Sequence, residues 1–205
     1  MAPLSDDRLR LALVAAMAAI VLASNVLVQF PVRAAGLEDY LTYGAFTYPF
    51  AFLVTDLANR RFGPAGARRV VYVGFLAALA LSAYFASPRI AIASGTAFLA
   101  AQLLDVAIFH RLRGQAWWVA PFVSSVIASA VDTALFFALA FHCGPVFGTT
   151  ISEMLAAIGI RDACLALPWP TLAAADYLVK VALAAIALGP YGALVGRLSA
   201  SGRPA

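Results

Sequence analysis

Four aspartates lie inside long apolar stretches of the sequence, where carboxyl groups are rare. Insertion of an aspartate at the centre of a membrane span costs about 2.5–3.5 kcal/mol. Such a residue is retained when its carboxylate is paired, faces a wet cavity or binds a ligand or ion. The pattern therefore favours transport of a solute through a membrane. The four residues are Asp56, Asp105, Asp132 and Asp176.

Asp132 is the strongest single site candidate among them. Together with Ser125, Ser129 and Thr133 it follows steps of three and four residues, which predicts a polar stripe along one helix face. The hydroxyl groups alone are also typical of residues that join helices by hydrogen bonds. Asp132, however, has no cationic residue near it in the sequence. We therefore expect Asp132 and Thr133 to belong to a ligand site.

Asp176 and Lys180 stand four residues apart, and Lys180 is the only lysine of the chain. This spacing places both side chains on one helix face, where they can form an ion pair. One interpretation is an internal ion pair with no ligand, since pairing lowers the insertion cost of both groups. The other is that both residues take part in ligand binding.

Asp56 and Asp105 lie nearer the predicted helix ends and have a simpler alternative. Asp56 could pair with Arg60 four residues on, as an ordinary salt bridge at the membrane surface. Gln102 stands three residues before Asp105, so that an amide and a carboxyl group share a face. Both interpretations, surface pairing and ligand binding, stay open for this group.

Amide and aromatic side chains add candidates in the first two apolar segments. Asn25 and Gln29 are four residues apart, and their amides can either bridge helices or bind the donors and acceptors of a ligand. Phe46 belongs to an aromatic group around Pro49, and a proline within a span is typical of the broken helices that line transporter sites. An aromatic wall beside amides and carboxylates suits a flat heterocycle.

The elements that position these residues are predicted to be about six transmembrane helices in a single domain over residues 1–205. The chain is 63% hydrophobic and 12% charged, far from the composition of a soluble domain. The apolar runs are long enough to cross a bilayer as helices and lack the alternation of barrel strands. The first run exceeds a signal-peptide core, so we expect it to remain in the mature protein. The spans are 11–32, 41–58, 70–87, 90–109, 116–141 and 171–195.

The distribution of arginine predicts that both termini are cytoplasmic. Cytoplasmic loops carry an excess of basic residues. Ten arginines lie before the first span, between spans two and three, between spans four and five, or after span six, and three lie in the alternate loops. The net charge of +4 therefore follows membrane topology, and we expect a lipid bilayer but no nucleic acid as partner. The three arginines of the alternate loops are Arg33, Arg89 and Arg161.

No motif for catalysis, metal binding or nucleotide hydrolysis is present in the sequence. There is no metal-ligand histidine pair, no Gly-x-Ser-x-Gly turn and no phosphate-binding glycine loop. We therefore expect no enzyme activity, no metal and no cofactor. Cys143 and Cys164 flank or lie within the segment 144–170, which is predicted to be an outer interfacial element. The sequence does not show that they approach each other, and we favour two unpaired thiols over a disulfide.

Several runs of the sequence resemble the queuosine precursor transporter family. The run GAFTYPFAFLVTDLANRRFG over residues 44–63 carries the resemblance, together with QLLDVAIFHRLR over 102–113 and WWVAP over 117–121. Asp132-Thr133 and Asp176-Tyr177 with Lys180 follow in the same order, so the resemblance covers nearly the whole chain. A short connection at 87–89 replaces a longer outer loop of some members.

The resemblance implies a bacterial inner-membrane protein of six spans that takes up 7-cyano-7-deazaguanine, 7-aminomethyl-7-deazaguanine or both for queuosine salvage. The adjacent N–H donors of a guanine-like edge can bind one carboxylate at two points, and Asp132 or Asp176 is our first choice for that carboxylate.

Three functional alternatives stay open at the level of sequence. The first is a stand-alone transporter in which an intramembrane aspartate carries a proton. The second is a substrate-capture subunit of an ATP-driven importer, although we do not expect separate ATPase subunits. The third is a membrane scaffold without a ligand. A homodimer is compatible with each, and the sequence does not decide which deazapurine is preferred.

Overall fold

The computed structural model describes residues 6–27, 30–33, 41–47, 49–85, 88–161, 164 and 168–200, and all of its regular elements over these parts are helices. The chain is a membrane protein, as its long apolar helices and its composition require. The helices are α1 (Asp6–Leu27), α2 (Gly44–Thr47), α3 (Pro49–Phe85), α4 (Pro88–Leu112), α5 (Val119–Phe141), α6 (Ile151–Ala157) and α7 (Trp169–Ala200).

Three of the described helices are long and apolar enough to cross a bilayer on length and composition: Pro88–Leu112, Val119–Phe141 and Trp169–Gly196. Large apolar side chains such as Leu178 and Ile186 are exposed on the outside of the bundle. In a bilayer these side chains contact lipid rather than water. The number of six spans and the cytoplasmic termini remain predictions.

Helix α3 contains a break at Gly63, so predicted spans two and three are two arms of one long element. Gly63 has φ 70° and ψ −177°, a left-handed conformation that favours glycine. Asn59, before the break, bonds Val106 of α4, whereas Gly74, after it, lies against Phe98, about two turns earlier on α4. The chain therefore turns back at the break. We call residues 49–62 the first arm and 64–85 the second arm.

The predicted bounds of several helices differ from the observed ones. The first span was predicted to reach residue 32, but α1 ends at Leu27. Phe30 lies in a bend, and the two residues after it pair with another segment: the Val32 amide donates to the Leu41 carbonyl at 2.9 Å, and Pro31 pairs with Thr42 in an antiparallel bridge. Likewise, α3 begins at Pro49 rather than near residue 41. A proline fits the first turn of a helix, where its missing N–H leaves no hydrogen bond unmade.

Helix α1 packs against both arms of α3 through an apolar core. An ion pair between Asp6 and Arg61, 2.7 Å from Oδ1 to Nη2, joins α1 and α3 close to the break. These contacts hold the two arms side by side. The core residues include Leu13, Met17, Val21, Val54, Ala58, Val70 and Val71.

Cys143 and Cys164 form a disulfide, so the preference for unpaired thiols was wrong. The bridge closes a loop across 21 positions of sequence, between the end of α5 and the segment before α7. The short helix α6 lies within this loop. Hydropathy could not predict the pairing, because it depends on how the loop folds back.

Arg89 is buried beneath the same region, although its charge predicted an exposed loop. Its Nε donates to the Leu139 carbonyl at 2.9 Å, and its Nη2 donates to the His142 carbonyl at 2.6 Å. Carbonyl groups at the end of a helix lack partners within the helix, and arginine can supply donors there. Arg89 also bonds Ser152 of α6 at 3.1 Å. It therefore joins the start of α4 to the end of α5 and to α6.

Candidate functional site

An ion cluster joins α5 to α7 in the interior of the bundle. Lys180 Nζ lies 2.7 Å from Asp132 Oδ2 and 2.5 Å from Asp176 Oδ2. Thr133 Oγ1 donates to Asp176 Oδ2 at 2.8 Å and accepts from Lys180 Nζ at 3.1 Å. The predicted pair of Asp176 and Lys180 is confirmed. Asp132, which has no cation near it in the sequence, pairs with Lys180 of another helix. Lys180 is thus the common counter-charge of Asp132 and Asp176, and the three side chains together carry one net negative charge.

The first arm of α3 runs parallel to α4 and in register with it. Thr55 Oγ1 donates to Gln102 Oε1 at 2.6 Å, and Asn59 Nδ2 donates to the Val106 carbonyl at 2.8 Å. Both hydrogen bonds join residues 47 positions apart in sequence. Because the offset of 47 positions is the same for two hydrogen bonds one helical turn apart, the two helices run side by side in the same direction. The polar side chains of the two helices therefore meet in one layer.

Asp56 and Asp105 belong to this layer, and their carboxyl groups lie near each other and near the Ser124 hydroxyl, although Asp56 Oδ1 and both Asp105 oxygens make no hydrogen bond of good geometry. Asp56 is 2% exposed and Asp105 is 0% exposed. The alternative of a surface salt bridge between Asp56 and Arg60 is wrong, because Arg60 instead donates to the Arg113 carbonyl. We call Asp56 and Asp105 the carboxyl pair.

Several buried polar atoms around the carboxyl pair make no hydrogen bond within the described part of the protein. Buried polar groups are nearly always satisfied by protein, water or ligand. The layer therefore has capacity for a ligand that offers both donors and acceptors. The atoms are Asp56 Oδ1, Asn59 Oδ1, Arg60 Nε, Gln102 Nε2, Tyr191 Oη and both carboxyl oxygens of Asp105.

A crevice lies between the first arm of α3, helix α5 and helix α7, and it contacts both the ion cluster and the carboxyl pair. Along α7 it extends from Lys180 to Tyr191, roughly 16 Å of helix. About 10 Å³ of it is open to the centres of water-sized spheres, room for about one water molecule, so the crevice must widen to admit a larger ligand. Its polar wall residues are Asp56, Ser125, Ser129, Lys180 and Tyr191, and its apolar ones include Pro49, Phe52, Ala184 and Leu188.

The predicted site residues fall into three groups in the structure. Lys180 and Asp56 line the crevice directly. A second group lies beside Lys180 and Asp56 without lining the crevice. Asp132, Thr133 and Asp176 surround Lys180, and Gln102 and Asp105 lie next to Asp56.

The first two segments contribute less to the described site. Phe46 is 38% exposed and lies outside the crevice wall. The side chain of Asn25 and the whole of Gln29 lie outside the described residues. Their roles stay predictions. Among the described residues, no group of three histidine, cysteine or acidic side chains could hold a metal ion.

Phe52 and Tyr191 line the crevice but were not predicted as site residues. Phe52 belongs to the aromatic run around Pro49, so its neighbours pointed to the right segment. Tyr191 is 1% exposed, and its hydroxyl is one of the unpartnered groups. A phenol in an otherwise apolar span is a weak but usable signal, because a buried tyrosine hydroxyl usually finds a partner. Ser125 and Ser129 were recognised as a stripe but not as wall residues.

Comparison with known proteins identifies relatives over most of the chain. The model of a family described as "Putative vitamin uptake transporter" matches residues 42–87 and 82–194. The chain is 34% identical over 201 residues to the queuosine precursor transporter of Escherichia coli K12, covering 87% of this chain and 83% of that protein.

Two further relatives carry the name "Probable queuosine precursor transporter". The Haemophilus influenzae protein is 34% identical over 208 residues, with 86% of this chain and 82% of that protein covered. The Bacillus subtilis protein is 27% identical over 178 residues, with 73% and 69% covered. No solved structure matches the chain.

Proposed function

Because the chain belongs to the queuosine precursor transporter family, we propose that it imports 7-cyano-7-deazaguanine, 7-aminomethyl-7-deazaguanine or both across the bacterial inner membrane. The imported base serves salvage of the tRNA nucleoside queuosine. The protein acts as a transporter and carries out no chemical step on the base. We assign the binding of the base to the crevice between α3, α5 and α7.

One observation carries this assignment: Asp56 is a fully buried crevice residue whose Oδ1 has no hydrogen-bond partner. A guanine-like edge presents two adjacent N–H donors, which one carboxylate can accept in a two-point hydrogen bond. Asp132 and Asp176 each have an oxygen bound to Lys180. The geometry therefore favours Asp56 over them for the direct contact with the base.

The remaining wall of the crevice suits a flat, polar heterocycle. The aromatic side chains of Phe52 and Tyr191 offer area for contact with the ring, and the hydroxyls of Ser125 and Ser129 offer hydrogen bonds to its edges. The Tyr191 hydroxyl has no partner and can bind a ring substituent or nitrogen. A different base would leave some of these buried polar groups unpaired, which strongly lowers its affinity relative to that of the correct base.

The ion cluster supports the site from its other end. Lys180 lines the crevice, while Asp132, Thr133 and Asp176 hold its ammonium group in place. A long flexible side chain fixed by three partners keeps the wall in one geometry, as a binding site requires. We expect loss of the Asp132 carboxylate to leave Lys180 held to α5 only through Thr133 and thereby to reduce transport.

Uptake by living cells tests the proposed function. In a bacterial strain that cannot synthesise the precursor, the protein should support uptake of labelled 7-cyano-7-deazaguanine and restore queuosine in tRNA. The Asp132→Asn variant should lose uptake while it still accumulates in the membrane. The Asp7→Asn variant is the matched control, because Asp7 is an exposed aspartate.

Two results would contradict this assignment in different ways. Unchanged uptake by the Asp132→Asn variant would exclude the ion cluster from the transport site. No uptake by the unaltered protein, despite normal amounts in the membrane, would instead favour a scaffold or a capture subunit that needs an ATPase.

A further inference from the structure

The carboxyl pair combines three features that the binding of a base does not by itself require. Asp105 is completely buried and does not line the crevice, yet its carboxyl group interacts with that of Asp56, which does. Both oxygens of Asp105 lack hydrogen-bond partners, and so does Oδ1 of Asp56. The crevice thus has an acidic residue at its wall and a second one directly behind it.

The groups around the pair come from every helix that packs on it. Ser124 of α5 and Tyr191 of α7 contribute hydroxyl groups. Arg60 and Arg113 carry positive charges that act on Tyr191, and Arg60 donates to the Arg113 carbonyl. Helix α1 packs on this part of α3 through apolar side chains. Lys180 pairs with Asp132 and Asp176, and Arg61 pairs with Asp6. Among the described residues, no ion pair therefore involves Asp56 or Asp105.

Two carboxyl groups in contact within a buried site do not both ionise, because the second charge would face both the first charge and a low dielectric. While the crevice is closed to water they share one proton instead, which belongs to the pair rather than to either residue, whereas both can ionise once water enters. The hydrogen bonds between α3 and α4 also place the amides of Asn59 and Gln102 in this layer. Each of these amides has one atom without a hydrogen-bond partner.

We propose that the carboxyl pair carries the proton that couples import of the base to the proton gradient, with Asp56 binding the base and Asp105 holding the proton. This inference rests on the proposed function. The N–H donors of the bound base stabilise the charged form of Asp56, so the proton resides on a carboxyl oxygen of Asp105. When the crevice opens to cytoplasmic water and the base leaves, the cost of a second charge falls and the proton dissociates. One proton then enters with each base.

The Asp105→Asn variant tests the division of roles, because an amide resembles the protonated carboxyl group in shape but cannot release a proton. The free protein, with its crevice open to water, lacks this proton. Binding of 7-cyano-7-deazaguanine to purified wild-type protein should therefore take up one proton, which calorimetry in two buffers of different ionisation enthalpy measures. Binding to the variant should persist, take up no proton and become independent of pH. A merely structural role of Asp105 would lower the affinity without abolishing the proton uptake.

Sealed vesicles that contain only the purified protein give the transport test. With an inward proton gradient of about one pH unit and no membrane potential, one coupled proton supports at most about tenfold accumulation of the base. Wild-type protein should accumulate the base, and Asp105→Asn should only exchange internal for external base. The Asp7→Asn protein should behave as the wild type does.

Three results would overturn the inference. Accumulation by Asp105→Asn would show that the proton is carried elsewhere. Accumulation that needs a sodium gradient and no pH gradient would show that the unpartnered oxygens bind a metal cation instead. Loss of both binding and exchange in Asp105→Asn would make Asp105 part of the base site. Absence of exchange by the wild type would refute the proposed function itself, which distinguishes the two failures.

Discussion

Asp132 on α5 and Lys180 on α7 form an ion pair of 2.7 Å, and each side chain is only 6% exposed. The two residues are 48 positions apart in sequence, so the pair fixes one helix against the other. Asp176, one turn before Lys180, shares the same ammonium group. The cluster therefore brings two negative charges and one positive charge into a site from which water is largely excluded.

Replacement of Lys180 by methionine should destabilise the protein by about 3–5 kcal/mol, because it leaves the buried Asp132 and the partly buried Asp176 without their common counter-charge. Thermal unfolding of the purified variant in detergent measures the effect. Additional replacement of Asp132 and Asp176 by asparagine should recover most of the loss, since the charges are then absent. An unfolding temperature of Lys180→Met equal to that of the wild type would contradict the buried cluster.

Reduction of the disulfide between Cys143 and Cys164 should lower stability without changing the affinity for the base. A loop of this length contributes about 3 kcal/mol, which corresponds to roughly 6–12 °C in unfolding temperature. Neither cysteine lines the crevice. The double variant Cys143→Ser with Cys164→Ser is the control and should not respond to reductant. Equal unfolding temperatures with and without reductant in the wild type would show that the bridge is not formed.

Replacement of Gly63 by alanine should cost about 1–3 kcal/mol, because φ 70° with ψ −177° is open essentially to glycine alone. A Cβ atom there would meet no neighbour within 4 Å, so the cost comes from the backbone alone. Gly114 is a matched control, since its surroundings are equally open and it is not among the glycines with positive φ. Thermal unfolding should therefore separate Gly63→Ala from Gly114→Ala, and equal stabilities would refute the break in α3.

Local periodicity predicted those parts of the site that lie within one helix. The pair of Asp176 and Lys180 follows from a four-residue spacing, and the buried stripe of Ser125, Ser129 and Asp132 follows from the helical repeat. The partner of Asp132 could not be found in this way. Lys180, its cationic partner, lies on another helix. The position of that helix depends on tertiary packing, and tertiary packing leaves no spacing pattern in a single sequence.

The burial of Asp56 was underestimated because the second span was predicted to end at residue 58. Polar and charged residues follow directly, and hydropathy treats them as the membrane surface. The first arm continues to the break at Gly63, so Asp56 lies about two turns inside the helix. Asn59 forms an interhelical hydrogen bond there instead of facing water. Contacts with α4 thus override the local hydropathy.

The most direct test of a base site at Asp56 is equilibrium binding of labelled 7-cyano-7-deazaguanine to purified protein. The Asp56→Asn variant replaces an acceptor oxygen by an N–H donor that opposes the donors of the base, and its affinity should fall about a hundredfold or more. Asp7→Asn should bind as tightly as the wild type. An Asp56→Asn protein that is folded and binds the base with wild-type affinity would contradict the assignment of the crevice.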